Sequence, residues 1–400
     1  MSYTLAGGPT QMFRGLHLRT HPDADKAPYQ TMFSALEIVL SDGTRVADWN
    51  DVVTDVTVSG AGGLDTGAEG ASRWYEQWAI TNGVLKKGLF HLAKNYTLDQ
   101  SQTTRDGGGS LRYNTSQEYV GQTFLAGLSG PLESIDIPFN KVSTPTGRFW
   151  VSIFATAAGV PTGSPLYTSD KLDVSLVSAT AQWIRMVFRD PPTLAAGTTY
   201  AFAVTGDYAY STTVYLGVGN NSAGGYGSGS RYDRTSAGAW NIVTGQDLAF
   251  KIYVTQNDAA PTMPSGYVGA KIGYVYNDSG SNFDGFVAKD RYVANGNSNA
   301  AASSSAQIST LVDVSAFIPP GVLKVQFGIA GATAGDQIVF GAVPGGYAGS
   351  SSPGEHYQAS NAAYNGRQTA GFLPTEYQGC YIRNNTAARL FELEIMGYEW

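Results

Sequence analysis

Side chains that could bind a sugar are concentrated in residues 206–240, a segment that is also rich in glycine and serine. The candidate ligand-binding residues there are Tyr208, Asn220, Tyr226, Arg231, Tyr232 and Asp233. A sugar ring presents apolar C–H faces that stack on tyrosine, while its hydroxyl groups exchange hydrogen bonds with amide, carboxylate and guanidinium groups. The segment therefore predicts a glycan-binding loop. Tyr215 is excluded because it alternates with Leu216 and Val218 as a core strand residue would.

A second concentration of polar and aromatic side chains occupies residues 345–372, where little strand alternation is visible. Its candidate binding residues are Tyr347, His356, Tyr357, Tyr364 and Arg367. Loops of this length are usually functional or contact a partner. This segment therefore predicts either a further part of a ligand site or a contact with a neighbouring subunit.

The turn NDSGSNFDG at residues 277–285 carries oxygen donors that could bind calcium. Asp278, Asn282 and Asp284 could serve as ligands, but the turn lacks the acidic first position and the closing glutamate of an EF-type loop. The same residue types are typical of a hairpin tip. The hairpin tip is the favoured interpretation and calcium the alternative, and no other metal or cofactor is predicted.

Residues that commonly carry out catalysis are not arranged for it in this sequence. The four histidines are not spaced as a helical pair of metal ligands, and Cys380 has no histidine close to it in sequence. No P-loop, GxSxG motif or strand followed by GxGxxG occurs. The acidic residues between 112 and 257 are not spaced as the carboxyl pair that glycoside hydrolysis requires. We therefore expect the protein not to be an enzyme.

Composition excludes several classes of partner. Only 14% of the 400 residues are charged, against about 25% in an ordinary soluble protein. The net charge of -7 provides no positive field for nucleic acid or an anionic membrane. No 18-residue apolar run and no signal peptide are present, so neither membrane insertion nor secretion is expected. A single cysteine cannot form an internal disulfide.

Hydrophobic residues alternate with polar ones along most of the chain, which predicts an all-β, antiparallel fold. The clearest runs are residues 74–80, 248–254 and 323–329, and the first is followed by the hairpin dipeptide Asn82-Gly83. Residues 29–40 and 84–96 could be strands or helices. Nearby glycines favour strands in both.

Two segments of the chain resemble motifs of a known module. Residues 60–83, GAGGLDTGAEGASRWYEQWAITNG, resemble a module of bacteriophage fibre and other virion appendage proteins, in which a Gly-Leu-Asp-Thr-Gly turn leads into a Trp-Tyr strand. Residues 260–286, APTMPSGYVGAKIGYVYNDSGSNFDGF, resemble the continuation of that module, which opens with a Pro-Ser-Gly-Tyr turn. The two motifs lie close together in that family, whereas residues 84–259 separate them here.

The intervening residues are similar to choice-of-anchor jelly-roll sandwiches of surface and carbohydrate-associated proteins. The similarity is carried by residues 122–139, 150–169, 191–204 and 239–254. Trp240 falls on a packing aromatic of that sandwich and is therefore excluded as a ligand residue. The polar segments at 99–112 and 255–262 are typical of joints between domains.

These resemblances imply a split antiparallel β-sandwich module with an inserted jelly roll. The expected divisions are a virion-attachment segment at 1–50, the module at 51–111 and 258–400, and the insert at 112–257. The two ends of such an insert are expected to lie close together.

The implied function is non-catalytic attachment of a virion fibre, spike or decoration protein to host-surface polysaccharide. Residues 1–50 would bind other virion proteins, and the protein would be made in the host cytoplasm before it joins the virion. A homo-oligomer is expected, as a trimer or alternatively a pentamer. The alternatives are a purely structural head or tail decoration protein and an exported bacterial lectin.

Overall fold

The structure is a computed structural model that describes most of the chain. Side chains are described for residues 13–283 and for Ala288, Ile318 and Pro319. The backbone is also described for residues 286–289, 292–303, 310–313, 318–319, 324–330, 337–341, 357–360, 368–373, 379–384 and 392–399. The described residues contain strands, one short 3₁₀ helix and no α-helix. The prediction of an all-β fold is therefore confirmed.

The strands up to residue 157 are β1 (Phe13–Arg14), β2 (His17–Thr20), β3 (Gln30–Val39), β4 (Arg45–Asp55), β5 (Arg73–Thr81), β6 (Lys86–Leu92), β7 (Asn95–Gln102), β8 (Gly107–Leu111), β9 (Tyr119–Leu125), β10 (Gly130–Val142) and β11 (Arg148–Ala157). They are followed by β12 (Val160–Thr168), β13 (Leu172–Asp173), the 3₁₀ helix Val174–Leu176, β14 (Gln182–Val187), β15 (Thr193–Leu194), β16 (Thr199–Gly206), β17 (Tyr215–Asn221), β18 (Arg231–Arg234), β19 (Trp240–Val243), β20 (Asp247–Leu248) and β21 (Phe250–Gln256).

The described strands after the insert are β22 (Val268–Asn277), β23 (Phe286–Lys289), β24 (Tyr292–Ser303), β25 (Thr310–Asp313), β26 (Lys324–Ala330), β27 (Gln337–Gly341), β28 (Tyr357–Ser360), β29 (Gln368–Leu373), β30 (Gly379–Asn384) and β31 (Glu392–Glu399). None of the described segments is a helix long and apolar enough to cross a membrane.

Both segments that could be strands or helices from the sequence, residues 29–40 and 84–96, contain strands. Residues 30–39 form β3, in which side chains alternate between more and less buried positions. Residues 86–92 form β6, which pairs with β5 in a hairpin. The Asn82 Oδ1 atom accepts hydrogen bonds from the backbone N–H groups of Val84 and Leu85, and these bonds close the turn.

The central part of the chain is a sandwich of two antiparallel sheets. One sheet has the order β20-β17-β10-β21-β7, with β14 and β15 paired to β10 and β8 paired to β17. The other has the order β12-β11-β16-β9-β18-β19, with β13 paired to β11. Buried aromatic side chains fill the space between the sheets. Phe139 and Phe149 have ring centroids 5.0 Å apart, and Phe202 and Phe250 have centroids 5.2 Å apart.

This sandwich extends beyond the predicted insert range of 112–257. β7 pairs with β21, and β8 pairs with β17, so the polar segment 99–112 contains strand residues of the sandwich. The pairing also joins the two ends of the insert, because Asn95 is the register partner of Gln256. The ends of the insert are therefore adjacent, and the sandwich interrupts the surrounding module at one place.

The strands on either side of the insert share a second core. A sheet of the order β22-β5-β6 packs with β3 and β4, and the largest buried side chains there are Phe33, Trp49, Tyr75 and Phe90. Residues 13–50 form β1 to β3 and part of β4, and β2 pairs with β23. The described part of the predicted attachment segment 1–50 thus belongs to this core, because its buried apolar residues continue the same cluster.

His91 connects the Gly-Leu-Asp-Thr-Gly turn to the chain that leaves the insert. Its Nδ1 lies 2.8 Å from Asp65 Oδ2, and its Nε2 lies 2.9 Å from the backbone oxygen of Ala259. The N–H of Thr262 also donates to Asp65 Oδ2. Both ring nitrogens face acceptors, so both bonds form only when His91 is protonated. Burial lowers the pKa of His91 and is the largest single influence on it, but the hydrogen bond to Asp65, the charges of Asp65 and Glu76 and the Ala259 carbonyl together raise the pKa above its ordinary value.

We predict that stability falls as pH rises above the ordinary histidine value of 6.5. A group whose pKa is raised by folding contributes its full stabilisation at a pH below the pKa of the unfolded state. This contribution is lost as the pH rises through the pKa of the folded state. The expected loss in the free energy of unfolding is roughly 1 kcal/mol, the net contribution of a typical hydrogen bond, because His91 is only partly shielded from solvent. Urea unfolding between pH 6 and pH 9 measures it. A His91→Gln variant should lack this slope, and a wild-type slope in that variant would contradict the assignment.

We also predict that residues 94–257 fold alone, since the ends Asn95 and Gln256 pair with each other within the sandwich. The fragment should unfold in one cooperative thermal transition. A matched fragment of residues 112–257 lacks β7 and β8 and should melt at a lower temperature, because β21 and β17 lose their edge partners. Equal melting temperatures of the two fragments would contradict the observed extent of the sandwich.

Candidate functional site

The predicted glycan-binding segment 206–240 contains strands rather than a single flexible loop. Arg231, Tyr232 and Asp233 lie on β18, between β9 and β19. Arg231 and Asp233 are the register partners of the buried Gln122 and Val120, and their side chains lie between the two sheets. The expectation that these residues stand in an exposed loop is wrong, because β18 is paired on both sides.

Tyr208 and Asn220 are also buried, with 4% and 2% of their surfaces exposed. The Tyr208 hydroxyl donates to the backbone oxygen of Leu111 and accepts from the N–H of Leu216. Burial raises the pKa of Tyr208. Asn220 lies on β17 and donates from Nδ2 to Gln246 Oε1 at 2.8 Å. These two side chains stabilise the sandwich and present no surface on which a sugar could stack.

Tyr226 is half-buried at the border of the core. Its hydroxyl donates to Gln100 Oε1 at 2.8 Å, and its ring packs edge-on against Phe250 at 5.0 Å. Burial raises the pKa of Tyr226 to about 12. The backbone N–H of Tyr226 donates to Asp247 Oδ2 at 2.9 Å. Its side chain is thus held by β7 and by the core rather than presented in a mobile loop.

Arg231 and Asp233 form a buried ion pair within a polar layer of the sandwich. Arg231 Nη2 lies 3.2 Å from Asp233 Oδ2, and Arg231 Nη1 donates to Gln246 Oε1 at 2.7 Å. Gln122 donates to Asp247 Oδ1 at 3.0 Å in the same layer. Buried charges are tolerated when they are paired and hydrogen-bonded. Burial raises the pKa of the Asp233 carboxyl, although the neighbouring Arg231 opposes the shift.

The glycines of β8 provide the space for this layer. A Cβ atom on Gly109 would lie 2.7 Å from Arg231 Nη2, and one on Gly107 would lie 2.7 Å from Asn220 Oδ1. The prediction of a joint between domains at Gly107–Gly109 is wrong. These residues belong to an edge strand, and the missing side chains make room for Asn220 of the same sheet and Arg231 of the opposite sheet.

An open cleft of about 480 Å³ lies at this edge of the sandwich, where β8 and the β8–β9 loop face β18 and β19. We call it the edge cleft. Its lining residues are Ser110, Tyr113, Asn114, Ser116, Gln117, Asp233, Asn241 and Val243. Asp233 is the one residue of the predicted site that lines it. The other five predicted residues lie in the polar layer, the core or the sheet beside the cleft.

The lining side chains are positioned by contacts within the sandwich. The Tyr113 ring packs edge-on against Tyr215 with centroids 5.2 Å apart. Asn114 Oδ1 accepts from the N–H of Ser116 at 2.8 Å, which fixes the turn. Gln117 Nε2 donates to Asp233 Oδ2 at 3.4 Å. The cleft thus combines one aromatic ring, several amides and hydroxyl groups, and one carboxylate.

Sequence reasoning missed most of this cleft. Three of the lining residues follow the glycine run that is typical of a joint between domains: Tyr113, Asn114 and Gln117. A fourth, Asn241, follows Trp240, which the sequence analysis excludes as a ligand residue. The available signal was the segment YNTSQ at residues 113–117, in which a tyrosine is followed by turn-forming and amide residues. Its proximity to residues 233–243 depends on strand pairing that the sequence does not display.

The second predicted cluster falls largely outside the described residues. Tyr347, His356, Tyr364 and Arg367 lie outside them. Tyr357 begins β28, where its backbone pairs with Phe340 of β27. This second cluster therefore stays a prediction.

The acidic turn at 277–285 has a structural explanation over its described part. Asp278 Oδ1 accepts hydrogen bonds from the backbone N–H groups of Gly280 and Asn282. Asp278 therefore closes a turn, as in an Asx turn, beside the antiparallel bridge between Asn277 and Phe283. The flanking strands β22 and β23 do not pair with each other, so the turn is not the tip of a longer hairpin. Asp284 lies outside the described residues. Over the part of the chain with described side chains, no three acidic, histidine or cysteine residues form a metal-binding group.

Comparisons with known proteins identify no family for this chain. No family model matches the sequence, and no curated protein matches it significantly. Among solved structures, the chain is similar to the N-terminal CBM22-1-CBM22-2 tandem domain from Paenibacillus barcinonensis Xyn10C. The identity is 9%, the match covers 84% of this chain and 99% of that chain, and the TM-score is 0.17. A TM-score of this size does not indicate a shared fold.

We predict that Gly109→Ala destabilises the sandwich, whereas Gly108→Ala does not. The new Cβ on residue 109 would meet both Arg231 Nη2 at 2.7 Å and Val120 Cγ1 at 3.3 Å. Displacing a buried, bonded side chain costs about 1–3 kcal/mol. On residue 108 the nearest atom is 3.8 Å away, and a change within about 0.5 kcal/mol is expected. Denaturant unfolding of both variants provides the test, and equal stabilities would disprove the role given to the glycines.

Proposed function

We propose that the central sandwich binds host-surface glycan at the edge cleft without chemical turnover, in a protein that serves as a virion appendage. The observation that carries the proposal is the set of side chains lining the cleft: Tyr113, Asn114, Gln117, Asp233 and Asn241 around an open volume of about 480 Å³. This volume is of the size that accommodates a small-molecule ligand.

The chemistry of the lining matches the chemistry of a sugar. An aromatic ring such as that of Tyr113 can pack on the C–H face of a pyranose. Amide groups both donate to and accept from sugar hydroxyls, and a carboxylate accepts from them. Among the lining residues, Asp233 is the only carboxylate. Hydrolysis of a glycosidic bond normally uses two carboxyl groups, so binding is the activity that this set of residues supports.

The open shape of the cleft implies weak binding by one copy. An affinity of about 1 mM corresponds to roughly 4 kcal/mol. Linking several copies raises the overall affinity through effective concentration. The proposal therefore includes a homo-oligomer, with a trimer expected from the resemblance to phage fibres.

The virion part of the proposal is supported by the two sequence motifs and by their position in the fold. β5, from the first motif, pairs along its length with β22, from the second. The Asp65 carboxylate of the first motif also accepts from the N–H of Thr262 in the second. The motifs thus contact each other although an insert separates them in sequence, as expected for a split module.

We predict that Tyr113→Ala weakens glycan binding at least about tenfold, the effect of losing roughly 1.4 kcal/mol at a central aromatic contact. The full chain, multimerised on beads, would be assayed against immobilised bacterial lipopolysaccharides and capsular polysaccharides and against neutral glucan, mannan and galactan. Multimerisation is needed because a single weak site washes off.

The matched control is Tyr167→Ala, which removes an exposed tyrosine of β12 that does not line the cleft. This variant should bind as the wild type does. Equal loss in both variants, or equal binding by wild type and Tyr113→Ala, would show that the edge cleft is not the glycan site. Binding to none of the polysaccharides would favour a purely structural role.

A further inference from the structure

Resting on the proposed glycan binding, we propose that Arg112 forms an anion subsite beside the edge cleft, and that the glycan bound there carries a carboxylate or phosphate group. The Nη1 and Nη2 atoms of Arg112 would bind two oxygens of that group. The inference follows from the unpaired edge of the guanidinium group, from the contacts that hold this group in place and from the backbone conformation of Arg112.

The Arg112 side chain is held by the loop that leads to β17. Its Nε donates to the backbone oxygen of Tyr208. Its Cζ lies 4.2 Å from the ring centroid of Tyr210 and 5.8 Å from that of Tyr208. An aromatic ring attracts a cation over its face, and the planar guanidinium group stacks on it. The guanidinium group is therefore oriented before a ligand binds.

Two nitrogens of this guanidinium group reach solvent without a partner. Among the residues with described side chains, Nη1 and Nη2 of Arg112 have no hydrogen-bond or ion-pair partner. The buried side-chain atoms without a partner in that part of the chain are Gln182 Oε1, Asn220 Oδ1 and Asn277 Oδ1. Both Arg112 nitrogens are therefore accessible. Paired N–H groups on a guanidinium edge match two oxygens of a carboxylate or phosphate.

The two other arginines next to the cleft already have acidic partners. Arg231 Nη2 lies 3.2 Å from Asp233 Oδ2, and Arg234 Nη1 lies 3.9 Å from Glu118 Oε2. The Arg231 pairing neutralises the carboxylate at the floor of the cleft, so that carboxylate does not repel an anion bound nearby. Of these three arginines, Arg112 is the one whose charge is left for a ligand.

Arg112 also contributes to a positive region around Tyr119. Burial raises the pKa of the Tyr119 hydroxyl, the charges of Arg234 and Arg112 oppose this rise, and the charge of Glu118 adds to it. Both guanidinium groups are therefore close enough to act on the same hydroxyl. Two positive charges and one negative charge leave the region positive, although the whole chain carries a net charge of -7.

The backbone of Arg112 adopts a conformation that favours glycine. Its φ of 53° lies in the left-handed region, where a Cβ atom is disfavoured. Its N–H donates to the oxygen of Gln117 at 2.7 Å, and its own oxygen accepts from the N–H of Ser211 at 3.1 Å. Glycine would serve this turn better than arginine. Strain that persists at such a position is typical of ligand-binding sites.

Arg112 adjoins the edge cleft on both sides in sequence. Ser110 and Tyr113 line the cleft, and Tyr113 is the next residue along the chain. A glycan of several sugars that packs on the Tyr113 ring can therefore extend to the guanidinium group. Stacking on Tyr113 accepts many pyranoses, since each has an apolar face. Arg112 then selects those chains that carry an anionic group.

The test compares acidic polysaccharides with their own neutral forms. The lipopolysaccharides and capsular polysaccharides of the binding assay would be immobilised untreated, after reduction of carboxyl groups to alcohols, and after removal of phosphate groups with hydrofluoric acid. Polygalacturonate and phosphomannan provide a defined polymer for each group.

The multimerised full chain should bind untreated acidic polymer at least about tenfold more tightly than its neutral form, the effect of one hydrogen-bonded charge. The treatment that removes this preference identifies the anion as carboxylate or as phosphate. High salt should reduce the preference, because salt screens the attraction between the charges.

Three variants assign the preference to Arg112. Arg112→Gly suits the left-handed backbone, so it should stay folded and bind acidic and neutral forms equally. Arg112→Lys keeps the charge but lacks the paired N–H edge, and its preference should fall below that of the wild type. The matched control is Arg45→Gln, which changes the net charge equally at a side chain that is 59% exposed on β4 and should bind as the wild type does.

The outcomes separate this inference from the proposed function. If the wild type binds acidic and neutral forms equally and both depend on Tyr113, the anion subsite is wrong and the glycan-binding site stands. A wild-type preference in folded Arg112→Gly, or in Arg112→Lys if melting shows the glycine variant unfolded, would also disprove the subsite. Equal loss in Arg45→Gln would assign the preference to overall charge. If no polysaccharide binds in any form, the proposed function fails and the subsite fails with it.

Discussion

The central sandwich depends on placing a buried ion pair between two sheets. Arg231 and Asp233 occupy inward positions of β18 that apolar side chains fill elsewhere in the sandwich. Removing one partner of such a pair typically costs about 3–5 kcal/mol, because the remaining charge stays buried. The pair therefore requires both the hydrogen bonds of Gln246 and Gln117 and the space left by the glycines of β8. The same arrangement brings a carboxylate to the floor of the edge cleft.

The module around the sandwich depends on a similar connection between distant segments. Asp65 is held by His91 and by the N–H of Thr262, and Ala259 accepts from His91 when the imidazole is protonated. These bonds fix the chain where it leaves the insert. The pairing of Asn95 with Gln256 fixes the ends of the insert itself. Two short sets of contacts thus let a complete sandwich sit inside another fold.

The strands could be predicted from the sequence, because the alternation of apolar and polar residues that indicates a strand involves only neighbouring positions. The hairpin of β5 and β6 and the strand class of residues 30–39 could be predicted from the sequence. The site could not, because it depends on which strands pair. Arg231 and Tyr232 stand in a glycine-rich, polar segment that is typical of a loop, yet pairing with β9 and β19 buries them. The strand that contains Gly107–Gly109 could not be predicted for the same reason, because a run of glycines is also typical of a linker.

The adjacent ends of the insert determine how mechanical force passes through the protein. The described strands nearest the two ends of the surrounding module, β1 and β31, lie in one sheet of order β1-β3-β2-β23-β24-β31-β26-β29, so tension between them passes along that sheet. The sandwich lies outside that line of force, because its first and last strands leave the module side by side. A pull applied to the sandwich would instead load the His91–Asp65 connection and the β7–β21 ladder. The fold therefore keeps the sandwich apart from the strands that carry tension between the ends of the module.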